Sequence, residues 1–159
     1  MFNKKLILFC VAFLALVIIA GCNDEEPIKE EVIQHNWNES LLFKSGSYTM
    51  IGEEGRLGFI YDDSEVVRFY PNKTQKYMWH FWGNEEELIG DFKVLGTHEN
   101  SDKEITVVSK KENSFLSPNN GADQHFPTNM TLTKSGMWKL DAYVDDEIFG
   151  SVYVKVHKE

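Results

Sequence analysis

Residues 137–144 read Met-Trp-Lys-Leu-Asp-Ala-Tyr-Val, and residues 148–157 read Ile-Phe-Gly-Ser-Val-Tyr-Val-Lys-Val-His. In the first run Trp138, Leu140, Ala142 and Val144 alternate with Lys139, Asp141 and Tyr143. In the second, Ile148, Gly150, Val152, Val154 and Val156 share a face by the same two-residue period. Side chains alternate faces along a strand, so each run has one apolar side and one wet side. Asp145-Asp146-Glu147 lies between them and supplies a short turn. The pair therefore reads as an antiparallel hairpin with a single core beneath it.

The same pattern extends towards the N-terminus. Short runs rich in Val, Ile, Tyr, Phe and Trp alternate with Gly, Asn and Asp from about Trp37 onward. No window holds a 3.6-residue period over three turns. Strands are expected near 47–51, 57–61, 66–70, 77–82, 88–98, 104–109, 130–133, 137–144 and 148–157. This is the pattern of an all-β, antiparallel sandwich of about seven to nine strands. Tyr77-Met78-Trp79-His80-Phe81-Trp82 departs from simple alternation, because both faces are apolar or aromatic. Such a strand is buried on both sides, or has one face in the core and the other in a binding site. Immunoglobulin-like sandwiches carry a buried Trp on a central strand, and Trp79 or Trp82 is the candidate here.

The N-terminal residues read differently. Lys4 and Lys5 precede the uncharged run 6–19, Leu-Ile-Leu-Phe-Cys-Val-Ala-Phe-Leu-Ala-Leu-Val-Ile-Ile. As a helix that run is about 21 Å long, short of the roughly 30 Å hydrocarbon core, so it fits an export signal better than a permanent span. Ile19-Ala20-Gly21-Cys22 follows: branched, small, small, Cys. This resembles the bacterial lipobox, in which the small residues let a peptidase reach the bond before the Cys and the thiol accepts the lipid. The expected organisation is a cleaved signal over 1–21, a lipidated Cys22 with an acidic tether over 22–36, and a β-sandwich over 37–159. The tether carries Asp24, Glu25, Glu26, Glu30 and Glu31. The basic end stays cytoplasmic, so the domain is expected on the extracytoplasmic face of the cell membrane, held by acyl chains on Cys22.

Composition narrows the function. The net charge is −9, and loss of Lys4 and Lys5 makes the remainder more acidic. Nucleic acid and anionic wall polymers are repelled by that field, so no nucleic-acid partner is expected. The chain has 2 cysteines, Cys10 in the signal and Cys22 at the lipid site. The expected mature domain thus has neither a disulfide nor a Cys nucleophile, CxxC redox site or Cys-ligated zinc.

Several residue groups resemble, taken together, a known family. They are Gly52-Glu53-Glu54-Gly55-Arg56-Leu57-Gly58-Phe59-Ile60-Tyr61, Lys76-Tyr77-Met78-Trp79-His80-Phe81-Trp82-Gly83, His125-Phe126-Pro127, Gly136-Met137-Trp138-Lys139-Leu140 and Phe149-Gly150-Ser151-Val152. The pattern resembles an uncharacterised domain found in lipoproteins of spore-forming Gram-positive bacilli, and covers nearly all of the mature chain. The resemblance implies an immunoglobulin-like fold and carries over no functional residue.

Candidate chemistry is sparse. There is no Gly-x-Ser-x-Gly, and the nearest piece, Ser45-Gly46-Ser47, lacks the strand-turn-helix setting of a nucleophile elbow. The 5 histidines, His35, His80, His98, His125 and His157, include no pair at i, i+2 or i, i+4. Met78 beside His80, with Met130 and Met137, would suit copper, because thioether is a soft ligand. Met is more often a core filler. The acidic groups Asp62-Asp63-Ser64-Glu65, Asn84-Glu85-Glu86-Glu87 and Asp145-Asp146-Glu147 read as solvated turns rather than calcium loops. Paired carboxylates for glycoside cleavage need a cleft that a domain of this size rarely supplies. Trp37, Trp79, Trp82 and Trp138, with Tyr70 and Tyr77, offer an aromatic platform, half of which alternation assigns to the core. Trp82, next to Gly83 at a strand end, is the expected rim residue. His80 and Trp82 are thus the ligand-binding candidates, with no catalytic residue, metal site or cofactor assigned. Residues 114–126 form the longest stretch without a period and read as a binding loop or a connector.

The reading that follows is an interaction or accessory module without catalytic activity, which meets a protein or cell-envelope ligand. Alternatives are a copper- or calcium-binding lipoprotein, or a small envelope hydrolase.

Overall fold

A computed structural model describes residues 36–112 and 115–158. The expected signal segment, Cys22 and most of the expected tether lie outside the described residues. Among the described residues, nine strands form two wholly antiparallel sheets. The first holds β1 (Leu41–Ser45), β2 (Tyr48–Glu53), β3 (Leu57–Ile60), β4 (Gln75–Phe81) and β7 (Gln124–Met130), side by side in that order. The second holds β6 (Glu104–Lys111), β5 (Phe92–His98), β8 (Gly136–Val144) and β9 (Glu147–Val156), in that order. Strands β3, β4 and β7 occupy the places of A, B and E in an immunoglobulin sandwich, and β6, β5, β8 and β9 those of C′, C, F and G. The β1–β2 hairpin extends the first sheet beyond β3.

The core lies between the sheets and is aromatic. Phe59, Trp79, Phe81 and Phe92 are fully buried, and Trp138 is nearly so. Their edges meet their neighbours' faces, as at Phe81–Phe92, whose centroids are 5.2 Å apart at 81°. The Trp79 indole N–H donates to Thr128 Oγ1 at 3.1 Å, so the polar atom of the largest buried side chain is satisfied. Trp79 is therefore the buried tryptophan on an inner strand. Pro127 sits in β7, where a missing N–H costs little because β7 is a sheet edge.

The closing hairpin forms as its alternation requires. Trp138, Leu140, Ala142 and Val144 all face the core. Asp145 and Asp146 have φ of 48° and 68°, the two positive values of a type I′ turn. One assignment changes. The register slips between Ala142↔Gly150 and Tyr143↔Ile148, which leaves Phe149 as an extra residue. This bulge turns Phe149 into the core and Ile148 outward, 55% exposed.

Three other strand expectations are corrected. Residues 66–70 are a turn and a single bridge, Phe69↔Val156. The backbone there bonds locally: the Val67 and Arg68 N–H groups donate to the Ser64 carbonyl, and Ser64 N–H donates to Asp62 Oδ1. Strand β5 begins at Phe92 rather than residue 88. A 3₁₀ turn at Glu86–Leu88 and Gly90 at φ 125° precede it. Strand β7 spans Gln124–Met130 and stops where a strand was expected to start. The Leu132 carbonyl instead accepts from Asn72 N–H. Strand β1 carried no clear alternation and was not expected.

Candidate functional site

Strand β4 sends Tyr77, Trp79 and Phe81 inward and Met78 and His80 outward. His80 is nonetheless fully buried. A second apolar layer lies on the outer side of this sheet, because β1 and β2 bring Phe43 and Met50 there. The Phe43 ring rests over Gly58, where an added Cβ would lie 2.9 Å from its Cζ. Phe43 meets Trp82 edge to face at 5.8 Å, Trp82 stacks on His80 at 6.3 Å, and His80 stacks on His125 at 6.1 Å. His80 and His125 are direct cross-strand partners in β4 and β7.

The segment before β7 folds over this row. Leu116 bridges His125, and Asn119 bridges Ala122 around Asn120 and Gly121, with φ of 50° and 82°. This is an Asn-Gly type I′ turn. Trp82 Nε1–H donates to the Gly121 carbonyl at 2.7 Å, and Ser45 Oγ–H donates to the Asn120 carbonyl. The Met78 carbonyl can only accept, so His80 Nδ1 carries the proton that it receives at 3.1 Å. Nε2 is then left to accept from the Asn120 amide, also at 3.1 Å. Burial, with a smaller contribution from His125, holds the His80 pKa below its ordinary 6.5, against the opposing bond to Met78. The imidazole is neutral with both nitrogens engaged. His125 Nδ1 bonds the Ser117 carbonyl at 2.7 Å.

His80 and Trp82 are thus brought together, beneath a turn of the same chain. The remaining aromatic candidates are dispersed. Tyr77, Trp79 and Trp138 are core residues, Tyr70 lies near His157, and Trp37 packs edge-on against Tyr153 at 6.0 Å. Among the described residues, no group of three or more His, Cys, Asp or Glu is gathered to hold a metal.

Open space is found elsewhere, at the end of the sandwich where β4 gives way to β5, β8 to β9 and β6 to β7. Two clefts flank the 3₁₀ turn there. One, of about 260 Å³, has Arg56 and Phe149 in its lining, with Glu86, Ile89, Asp145, Glu147 and Ile148 around them. The Arg56 guanidinium stacks 3.6 Å above the Phe149 ring, bonds the Phe149 carbonyl and pairs with Glu87 at 3.0 Å. The Asn84 backbone N–H and Arg56 together hold the Glu87 carboxyl below its usual range. The other cleft, of about 500 Å³, has Leu88, Phe115, Leu116 and Pro118 as its apolar wall, and Glu85 and Asp123 among its polar groups. The acidic groups at 84–87 and 145–147, far apart in sequence, meet at this end. Asp145 N–H bonds the Asp91 carbonyl at 3.0 Å and holds them there. Alternation could not have found this cleft. The Asn120-Gly121 turn lies in the stretch that reads as a binding loop or a connector, and the Asn-Gly step is the signal that could have placed it.

These features define an immunoglobulin-like β-sandwich whose connections at one end enclose open clefts. Residues 28–154 match the family model DUF4871, described as a domain of unknown function, and the chain belongs to that family. Nothing among the curated proteins matches. Its fold is similar to the crystal structure of a candidate lipoprotein from Bacillus anthracis: TM-score 0.58, 18% identity, 77% of this chain and 87% of that one covered. It is also similar, with a TM-score of 0.41 and 9% identity, to a superoxide reductase (neelaredoxin) from Ignicoccus hospitalis, over 65% of this chain and 80% of that one.

Proposed function

We propose that the chain is a lipoprotein, cleaved before Cys22 and held by lipid on the extracytoplasmic face of the cell membrane. Its sandwich serves without catalysis as an interaction module for a protein or cell-envelope ligand. The observation that supports this reading is the convergence at one end of the residues around 83–91, 115–123 and 145–146. That end exposes Ile89, Leu116 and Ile148 beside two open clefts. Exposed aliphatic side chains grouped with polar groups are characteristic of contact surfaces. Loop ends of sandwiches are where such domains bind. The lipobox-like Ile19-Ala20-Gly21-Cys22 supports the anchoring.

The test places a photo-cross-linking residue at Leu116 or Ile148 in the full chain in cells, with Val66 as control. Val66 is 78% exposed and lies between β3 and β4, at the opposite end. Discrete adducts from the two loop-end positions and none from Val66 are expected. Equal labelling from all three would overturn the assignment of the face. Cys22→Ala is expected to release the chain from the membrane fraction, and retention would overturn the anchoring.

A further inference from the structure

The smaller cleft has features that narrow the partner. Its two aliphatic flanks come from separate parts of the chain. Ile89 follows the 3₁₀ turn, and Ile148 is turned outward by the bulge at Phe149. A bulge re-aims a side chain at the cost of ladder pairing. This one leaves Ile148 at 55% exposure near Ile89 at 67%. Two β-branched side chains held in solvent around one concavity form a place for an apolar group to bury.

The charges around them are unbalanced. Arg56, the cation in the lining, is already paired with Glu87 and stacked on Phe149. Asp146 is paired with Lys93 at 2.6 Å and is not part of the lining. Glu86, Asp145 and Glu147 line the cleft, and among the described residues no ion pair engages them. An apolar group entering here passes three carboxylates held in none of those ion pairs, with Asp145 in the field of Lys110, so the complementary ligand carries cations on either side of it.

We propose that this cleft docks a segment of a partner protein that presents an aliphatic side chain flanked by lysine or arginine. The proposal rests on the interaction-module reading and names the partner's chemistry. The apolar side chain buries against Ile89 and Ile148, and the flanking cations meet Glu86, Asp145 and Glu147. Because the charges are exposed, binding weakens steeply with salt.

The test uses the full chain in a nonionic detergent with its isoleucine methyls labelled for NMR. Three acetylated, amidated pentapeptides are added: Lys-Ile-Lys-Ile-Lys, Lys-Ser-Lys-Ser-Lys and Glu-Ile-Glu-Ile-Glu. The first is expected to shift the Ile89 and Ile148 methyls and leave those of Ile60 and Ile105 in place. Ile148→Ser is expected to weaken it at least tenfold. Asp145→Asn with Glu147→Gln is expected to weaken it more than Asp62→Asn with Glu65→Gln, a charge-matched pair between β3 and β4. Equal losses from the two pairs would reduce the effect to overall acidity and overturn the proposal. Equal binding of the Lys-Ser peptide would remove the apolar contact and overturn it too, as would absence of any binding. If loop-end cross-links form in cells while none of the peptides bind, the interaction reading stands and this chemistry falls. If both fail, both fall.

Discussion

The side-chain amide of Asn120 lies 3.1 Å from Nε2 of His80, and the two residues are 40 positions apart. That contact completes the bonding of an imidazole with no solvent exposure. It ties the turn before β7 to the centre of the first sheet, and it makes His80 a structural histidine whose protonation state the fold dictates.

His80 gives stability a pH dependence of known sign. Its folded pKa is depressed, chiefly by burial. Below the ordinary imidazole value of 6.5 the unfolded chain binds a proton that the folded chain refuses. Stability from this group is therefore present above about pH 6.5 and is lost as pH falls towards the folded pKa. Urea denaturation at steps from pH 7.5 to 5 is expected to show a steeper loss for the native chain than for His80→Gln. Parallel pH profiles would contradict a neutral, buried His80.

Two substitutions at Asn120 separate its roles. Asn120→Gly keeps the left-handed backbone and drops the amide, at an expected cost of about 1 kcal/mol. Asn120→Ala drops the amide and also places a Cβ at φ 50°, which adds about 1–2 kcal/mol. The alanine variant should therefore have the lower denaturation midpoint. The reverse order would mean that the turn is not held in the left-handed region.

The Trp79–Thr128 bond is testable by removing either partner. Thr128→Val keeps the shape and strands the indole N–H, and should cost about 1–3 kcal/mol. Trp79→Ala removes the largest buried side chain and should cost about 3–5 kcal/mol. Thermal unfolding followed by circular dichroism gives both values. A Thr128→Val variant as stable as the native chain would show that the indole finds another acceptor.

Gly58 is needed for space, since its φ is ordinary. A Cβ there would lie 2.8 Å from the Ile51 carbonyl oxygen and 2.9 Å from the Phe43 ring. Gly58→Ala should cost about 1–3 kcal/mol. Adding Phe43→Leu should recover part of that loss and no more, because the Ile51 carbonyl belongs to the β2–β3 pairing and cannot retreat. Full recovery in guanidinium titrations would show that the ring alone set the limit.

Much of the architecture was legible in local pattern. Alternation at 138–144 and 152–156 sent the apolar side chains to the core, since strand geometry alone sends neighbours to opposite faces, although Asp141 on the other face is itself buried. The two-sided apolar character of 77–82 left two readings open, a strand buried on both sides or one with a face in a binding site, and in the fold Trp79 and His80 are buried on opposite faces. The pattern left open what covers the second face, and the covering residues, Asn120 and Gly121, come from a stretch with no period at all. Val66, Val67, Phe69 and Tyr70 are strand-favouring residues, yet local bonds to Ser64 and Asp62 take the backbone there.

The sequence by itself determined the all-β class, the closing hairpin, the aromatic core and the net negative charge. These depend on side-chain type and on a period of two, both local. Only the tertiary structure decided that Ile148 faces solvent, that His80 is sealed, and that the acidic groups at 84–87 and 145–147 border one cleft. Register, bulges and contacts between distant segments depend on how whole sheets pack. One extra residue in a ladder reverses the facing of a side chain, and no local pattern announces it.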